Sequence, residues 1–159
     1  MSKNNLERMI KLAEEFFEAK SDPLQITVTE ETMERLRRIH PATMTEKTDE
    51  DGPIAWMLLI PTTHEVMQKF ISKKINEQQL LDATPLGANY DTIYLCSALV
   101  LPEHRRKGLA RELVSKAISS IRKDHPIKYL FYWPFSNEGN GLAVAMAKKF
   151  KLPLYERKS

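Results

Sequence analysis

The chain has a single cysteine, Cys96, among its 159 residues. One thiol excludes an intramolecular disulfide and any zinc cluster built on paired cysteines, so no metal site is expected and a reducing compartment is the natural setting. Long apolar runs are missing too: no window approaches the roughly 20 apolar residues that a membrane span needs. The opening "MSKNNLERMIKLAEEFFEAK" has no uninterrupted apolar core like that of a secretion signal, which makes a cytoplasmic protein without a membrane partner the expectation. Glycine is sparse, and no internal repeat, low-complexity tract or linker interrupts the chain, so solenoid and multidomain arrangements are set aside. At this length, with 42% hydrophobic residues, one domain over 1–159 is expected.

What is present is unevenly placed. The net charge is only +3, yet Val100 to Ser159 holds 13 Lys and Arg against 5 Asp and Glu, while Met1 to Leu99 holds 11 against 16. The C-terminal part should therefore favour an anionic ligand. It lacks the interleaved aromatic and basic surface of a single-strand binder, so nucleic acid is not the expected partner.

Periodicity outlines the elements. Leu6, Met9, Ile10, Ala13, Phe16 and Phe17 recur at helical spacing, predicting an amphipathic helix with a core face that ends near Pro23. After an extended piece, "LQITV", Thr29 caps a helix carrying Met33, Leu36 and Ile39, which Pro41 stops. "ATMTEK" and "PIAWMLLIP" predict a hairpin across the acidic turn "TDEDGP", with Gly52 supplying a permissive backbone. Thr62 and Glu65 offer a capping box for a helical insertion, and a second short helix, "EQQLLDA", follows Asn76. "TIYLCSALVL" is apolar on both alternations, as a central strand buried on both faces should be. Leu109 to Ile121 carries the cleanest helical stripe, "KYLFYW" reads as a strand, "NGLAVAMAKKF" as a helix and "LPLYER" as a last strand. A mixed α/β domain with a strand, crossover helix, strand unit at its centre results.

The stretch "VLPEHRRKGLA", Val100 to Ala110, crowds positive side chains against a helix N-terminus that is itself positive. A bound anion resolves the conflict. The first helical turn points unpaired N–H groups outward, Gly108 permits close approach, and Arg105, Arg106 and Lys107 add charge-assisted contacts, which together suit a pyrophosphate.

An apolar strand running into V-x-P and then Q/R-x-x-G-x-G/A at a helix start resembles the GNAT superfamily of acetyl-CoA-dependent N-acyltransferases. Val100, Pro102, Arg105, Gly108 and Ala110 carry the match in "LVLPEHRRKGLARELV". The resemblance implies a mixed, mostly antiparallel sheet with flanking helices, a helical insertion before the cofactor strand, and a pair of parallel strands, Thr92 to Leu101 and Lys128 to Trp133, that splay apart around the pantetheine. It implies that the backbone of Leu99, Val100 and Leu101 meets the pantetheine arm. The N–H groups of Arg105, Arg106, Lys107, Gly108, Leu109 and Ala110 would cradle the pyrophosphate, and Asn140 and Ala143 line the other side of the thiol. The implied activity is transfer of an acetyl group from acetyl-CoA to an amine of a small molecule or peptide by direct attack.

The family's usual helix tyrosine is replaced by Ala147, with Met146 before it, which keeps open the alternative of a non-catalytic CoA-binding or sensor domain. Tyr132 or Tyr155 could instead protonate the leaving thiolate. Tyr94 and Cys96 share one strand face with Val100 and could look toward the acceptor; His64 and His104 read as surface or phosphate-facing. The acidic hairpin turn, Glu46 to Asp51, would complement a cationic amine or form a solvated turn. A homodimer stays open.

Overall fold

Gly52 turns the chain between its first two strands with φ +117°, a conformation an L side chain resists. A Cβ there would lie 3.2 Å from Cβ of Asn5, so the same glycine lets the first helix settle on the hairpin. The structure is a computed structural model that describes residues 4–19, 29–134 and 137–157. The extended piece at 24–28 and the side chains of Phe16 and Phe17 fall outside the described residues.

The strands are β1 (Met44–Asp49), β2 (Gly52–Thr62), β3 (Thr92–Val100), β4 (Tyr129–Tyr132) and β5 (Leu154–Glu156), in one sheet of order β1-β2-β3-β4-β5. The β1–β2 and β2–β3 pairs are antiparallel and extend over six and eight residue pairs; the parallel β3–β4 and β4–β5 pairs extend over only four and three. The sheet is thus mixed and mostly antiparallel by length, as expected. β3 is central because the residues on its two faces are apolar alike, and Ile93, Tyr94, Cys96 and Leu99 are all buried.

Helices α1 (Asn4–Ala19), α2 (Glu30–Ile39), α3 (His64–Ile71), α4 (Glu77–Ala83), α5 (Leu109–Asp124) and α6 (Asn137–Phe150) flank it. Among the described residues no helix is long and apolar enough to cross a membrane. Thr29 caps α2 as predicted, its side chain accepting from the Thr32 N–H. The predicted capping box at Thr62 is corrected by one residue: Thr63 caps α3, while Thr62 is the last residue of β2, its hydroxyl 2.7 Å from that of Thr84. The reciprocal box belongs to α4, between Asn76 and Gln79.

The apolar face expected of α1 is also corrected. Asn5 and Met9 are buried and Leu12 and Ala13 pack with Met9 on Ile54, Leu99 and Leu101, whereas Leu6 and Ile10 are exposed. The helix is rotated because Asn5 donates to Asp49 and Arg8 forms a two-bond contact with Glu103, both beyond the reach of an apolar count.

Candidate active site

β3 and β4 stay paired only from Thr92 with Tyr129 to Leu95 with Tyr132. Beyond that step β3 continues through Val100 while β4 has ended, so the strands part and, among the described residues, one edge of β3 has no partner strand. Which residues face that edge follows from the bonds on the other side. The Leu101 N–H donates to Ile54 O at 2.9 Å, so by strand alternation Leu101 and Leu99 turn their backbone groups toward β2, and Ala98 and Val100 turn theirs toward the opening. Of the three backbone positions expected to meet a pantetheine arm, only Val100 faces the opening. Ala98, which sequence reasoning did not select, joins it. The Val100 carbonyl already accepts from Arg105 Nε at 2.9 Å, which folds the basic loop back over the strand end.

That loop begins as a single 3-10 turn, Pro102–His104, and ends where Gly108 caps α5 with φ +79° and no side-chain hydrogen bond. Arg106 is left-handed as well, at φ +65°. Two left-handed residues in three curl the backbone so that successive N–H groups converge, the arrangement that holds anions. Space for one exists, since a Cβ on Gly108 would meet nothing within 4 Å. Arg105, Arg106, Lys107 and Gly108 are exposed, and Leu109 and Ala110 half-buried, at the start of α5. His104 does not face this space: its Nε2 lies 3.7 Å from Asp49 Oδ2. Asp49 also accepts from Asn5 and from the Asp51 N–H, and Glu46 accepts from the Trp56 indole, so half of the acidic hairpin turn is committed to the fold.

A family model described as "Acetyltransferase (GNAT) family" matches residues 6–151. The chain belongs to that family. No curated protein matches it. Among solved structures it is similar to Chaetomium thermophilum Naa20 in complex with a bisubstrate analogue, at 17% identity and TM-score 0.46, over 83% of this chain and 61% of that one. It is also similar to the xEco2 acetyltransferase domain bound to a CoA conjugate, at 11% identity and TM-score 0.45, over 99% of this chain and 87% of that one. The chain thus spans less than two thirds of the Naa20 chain's length.

The residues present fit acetyl-CoA, the cosubstrate of the GNAT family. The open β3 edge can offer backbone partners to the amides of the arm, the loop before α5 can offer N–H groups and cations to the phosphates, and Asn140 and Ala143 lie on α6, which packs on both β3 and β4. Ala143 is buried, and Asn140 Oδ1 is buried without a hydrogen-bond partner among the described residues, which leaves it able to accept from a ligand.

The four side chains considered for catalysis separate. Tyr132 ends the paired part of β4, half-buried, its hydroxyl donating to Glu156 Oε2 at 3.1 Å; burial first, then this carboxylate, pushes its phenol up. Tyr155 lies elsewhere: it is exposed, and its ring packs on Tyr129, at the far end of β4 from the parting. Tyr94 and Cys96 face α3 and α4. There the Tyr94 hydroxyl donates to Glu77 Oε2 at 2.5 Å and the Cys96 thiol donates to the same oxygen at 3.6 Å. Burial, reinforced by the Glu77 charge, pushes the Tyr94 phenol well up, so it stays protonated.

Glu77 is fully buried, as is Tyr94, and sequence reasoning passed it over. The signal was present: in "EQQLLDA", Glu77 precedes Leu80 and Leu81 by three and four residues, the spacing that puts all three on one helix face. Arg157 was passed over as well, and no periodicity marks it.

Proposed function

We propose that this chain is an N-acetyltransferase that moves the acetyl group of acetyl-CoA directly to an amine. One observation carries the reading: β3 and β4 part after Leu95, along the stretch of β3 that leads into the left-handed loop before α5. A single extended ligand can then lay its arm along the Val100 edge and its phosphates at Gly108. In the transfer, the amine nitrogen bonds to the thioester carbonyl carbon, the C–S bond breaks, the thiolate takes up a proton and the nitrogen loses one. Holding the two reactants together supplies much of the rate, because an oriented pair is spared the entropy of meeting. Tyr132, held protonated by burial and by Glu156, is read as the proton donor to the thiolate, a role in which its half-buried hydroxyl would turn from Glu156 to the sulfur. Tyr94 and Cys96 have their hydrogens directed at Glu77 and are read as structural.

The test pairs CoA-induced thermal stabilisation with thiol release from acetyl-CoA across an amine panel, for the wild type, Gly108→Asn and Gly108→Trp. Asparagine tolerates the left-handed backbone and tryptophan fills the loop. The wild type should be stabilised by CoA and release thiol with at least one amine, and Gly108→Trp should lose both. Undiminished CoA stabilisation of Gly108→Trp would sink the loop assignment. Stabilisation of the wild type without thiol release would favour a CoA-binding module that does no chemistry.

A further inference from the structure

Arg157 lies just past β5, where its N–H donates to Tyr132 O at 2.9 Å. Its guanidinium rests against the rings of Phe70, at 4.5 Å, and Trp133, at 4.7 Å. Phe70 belongs to α3 and packs on Tyr94 and Phe131. Trp133 is the first residue beyond the paired part of β4, as Cys96 is the first beyond that of β3. The cation therefore sits where the two strands part, on the side covered by α3 and α4. On the acyl-transfer reading, an arm that enters at Val100 and runs back along β3 would bring its thioester to this level.

The arginine is 9% exposed. Nη2 makes one long bond, 3.4 Å, to Ile75 O, while Nε and Nη1 are buried with no hydrogen-bond partner among the described residues. Aromatic rings attract the charge, yet they offer no lone pairs in the guanidinium plane. A carboxylate grips a guanidinium along one of two edges, Nε with Nη2 or Nη1 with Nη2. Each edge here keeps an unbonded nitrogen, and the nitrogen they share is only weakly held.

We propose that Arg157 receives the carboxylate of the acceptor, which makes the acceptor a small zwitterionic amine of the amino-acid class; this rests on the acyl-transfer reading above. A zwitterion suits the surroundings. Glu77 and Arg157 both act on the Tyr94 phenol, one from each sign of charge, and a ligand with one ammonium and one carboxylate adds no net charge to that cluster.

The experiment compares acceptors in matched pairs that differ by the carboxylate, phenylalanine against phenethylamine and lysine against cadaverine, in the thiol-release assay. A second readout is thermal stabilisation of the CoA-bound protein by N-acetylphenylalanine against N-acetylphenethylamine. The wild type should prefer the carboxylate-bearing member by about tenfold or more in kcat/KM, the usual size of a charge-assisted hydrogen bond. It should also be stabilised by the acetylated amino acid alone. Arg157→Met should lose the preference and the stabilisation while CoA still binds, and Arg157→Lys should keep part of each. Equal use of both members of every pair, or a preference that survives in Arg157→Met, overturns the carboxylate site and leaves acyl transfer standing. Absence of thiol release with every amine, with CoA binding intact, overturns acyl transfer and this proposal with it. Should Arg157→Met fail to fold, Arg157→Lys and the wild-type pairs decide the matter.

Discussion

Glu77 and Tyr94 show what a buried carboxylate asks of its neighbours. Taking an ionised carboxyl out of water is costly unless hydrogen bonds replace the lost solvation. β3 supplies two donors to one oxygen, Tyr94 and Cys96. Removing the hydroxyl with Tyr94→Phe should destabilise the fold by about 1.5–3 kcal/mol, the range for a hydrogen bond to a charged group. Urea denaturation read at constant slope checks this. A loss below about 0.5 kcal/mol would mean that the carboxyl is satisfied by other partners. The Cys96 thiol, 5% exposed and directed at Glu77, should react with a disulfide reagent only as the protein unfolds. Fast labelling of the native protein would return Cys96 to the list of candidate nucleophiles. Sequence reasoning put both residues on one strand face, as their shared Glu77 oxygen bears out. It also put Val100 there, but the register shift between Leu58 and Leu59 turns Val100, opposite Ala55, to the other face from Tyr94, opposite Ile60. Sequence reasoning could not tell that the Tyr94 and Cys96 hydrogens are spoken for, because the partner lies on a helix 17 residues upstream of Tyr94.

At the scale of elements, the periodic segments were legible and the joints between them were not. Leu109 and Asp124 bound α5 as its stripe predicts, and β3 begins at Thr92. The errors fall where side chains reach across the fold. α1 is rotated by Asn5 and Arg8, and α4 is held at its C-terminus by Arg35, which donates to Leu81 O, Asp82 O and Thr84 O. Three bonds onto orphan carbonyls tie α2 to the insertion. Arg35→Met should therefore cost about 1–3 kcal/mol, less than three isolated bonds would suggest because part of the guanidinium is exposed. If α4 covers the acceptor side, the same variant raises KM for the amine and leaves CoA affinity unchanged.

The contact between Arg8 and Glu103 gives α1 a pH signature. Arg8 donates to the Glu103 carboxylate, which is pushed down to about 2 by that hydrogen bond first. A depressed carboxyl contributes to docking of α1 fully above its ordinary range, and the contribution disappears as pH falls toward 2. A carboxyl-carbon NMR titration should find Glu103 ionised well below pH 4 in the wild type and back in the usual carboxylate range in Arg8→Ala. An unshifted wild-type titration would show that the pair does not persist in solution.

Over the whole molecule, the positively charged part of the chain is the part that carries the loop before α5, where the donor site is proposed. The motif at Val100 to Ala110 made the family legible. The splayed strands came from that resemblance, since nothing in the periodicity of "TIYLCSALVL" or "KYLFYW" says that their pairing stops after four steps. Only three-dimensional pairing separates Val100 and Ala98 from Leu99 and Leu101.

In the proposed donor site, CoA binding would divide into two parts with different responses to salt. Backbone N–H groups around Gly108 and the β3 edge act at contact and are little screened, whereas Arg105, Arg106 and Lys107 are exposed and act through water. CoA affinity measured by calorimetry should thus weaken several-fold as sodium chloride rises from about 0.05 to 0.5 M, where the screening length shrinks from roughly 14 to 4 Å. It should then level off at the value set by the backbone. Replacing Arg106 and Lys107 with glutamine should remove most of the salt dependence while keeping that plateau. Arg105 is left in place because its bond to the Val100 carbonyl shapes the loop. A wild-type affinity indifferent to salt would mean that the basic side chains do not face the phosphates, and the positive charge crowded against α5 would need a different ligand.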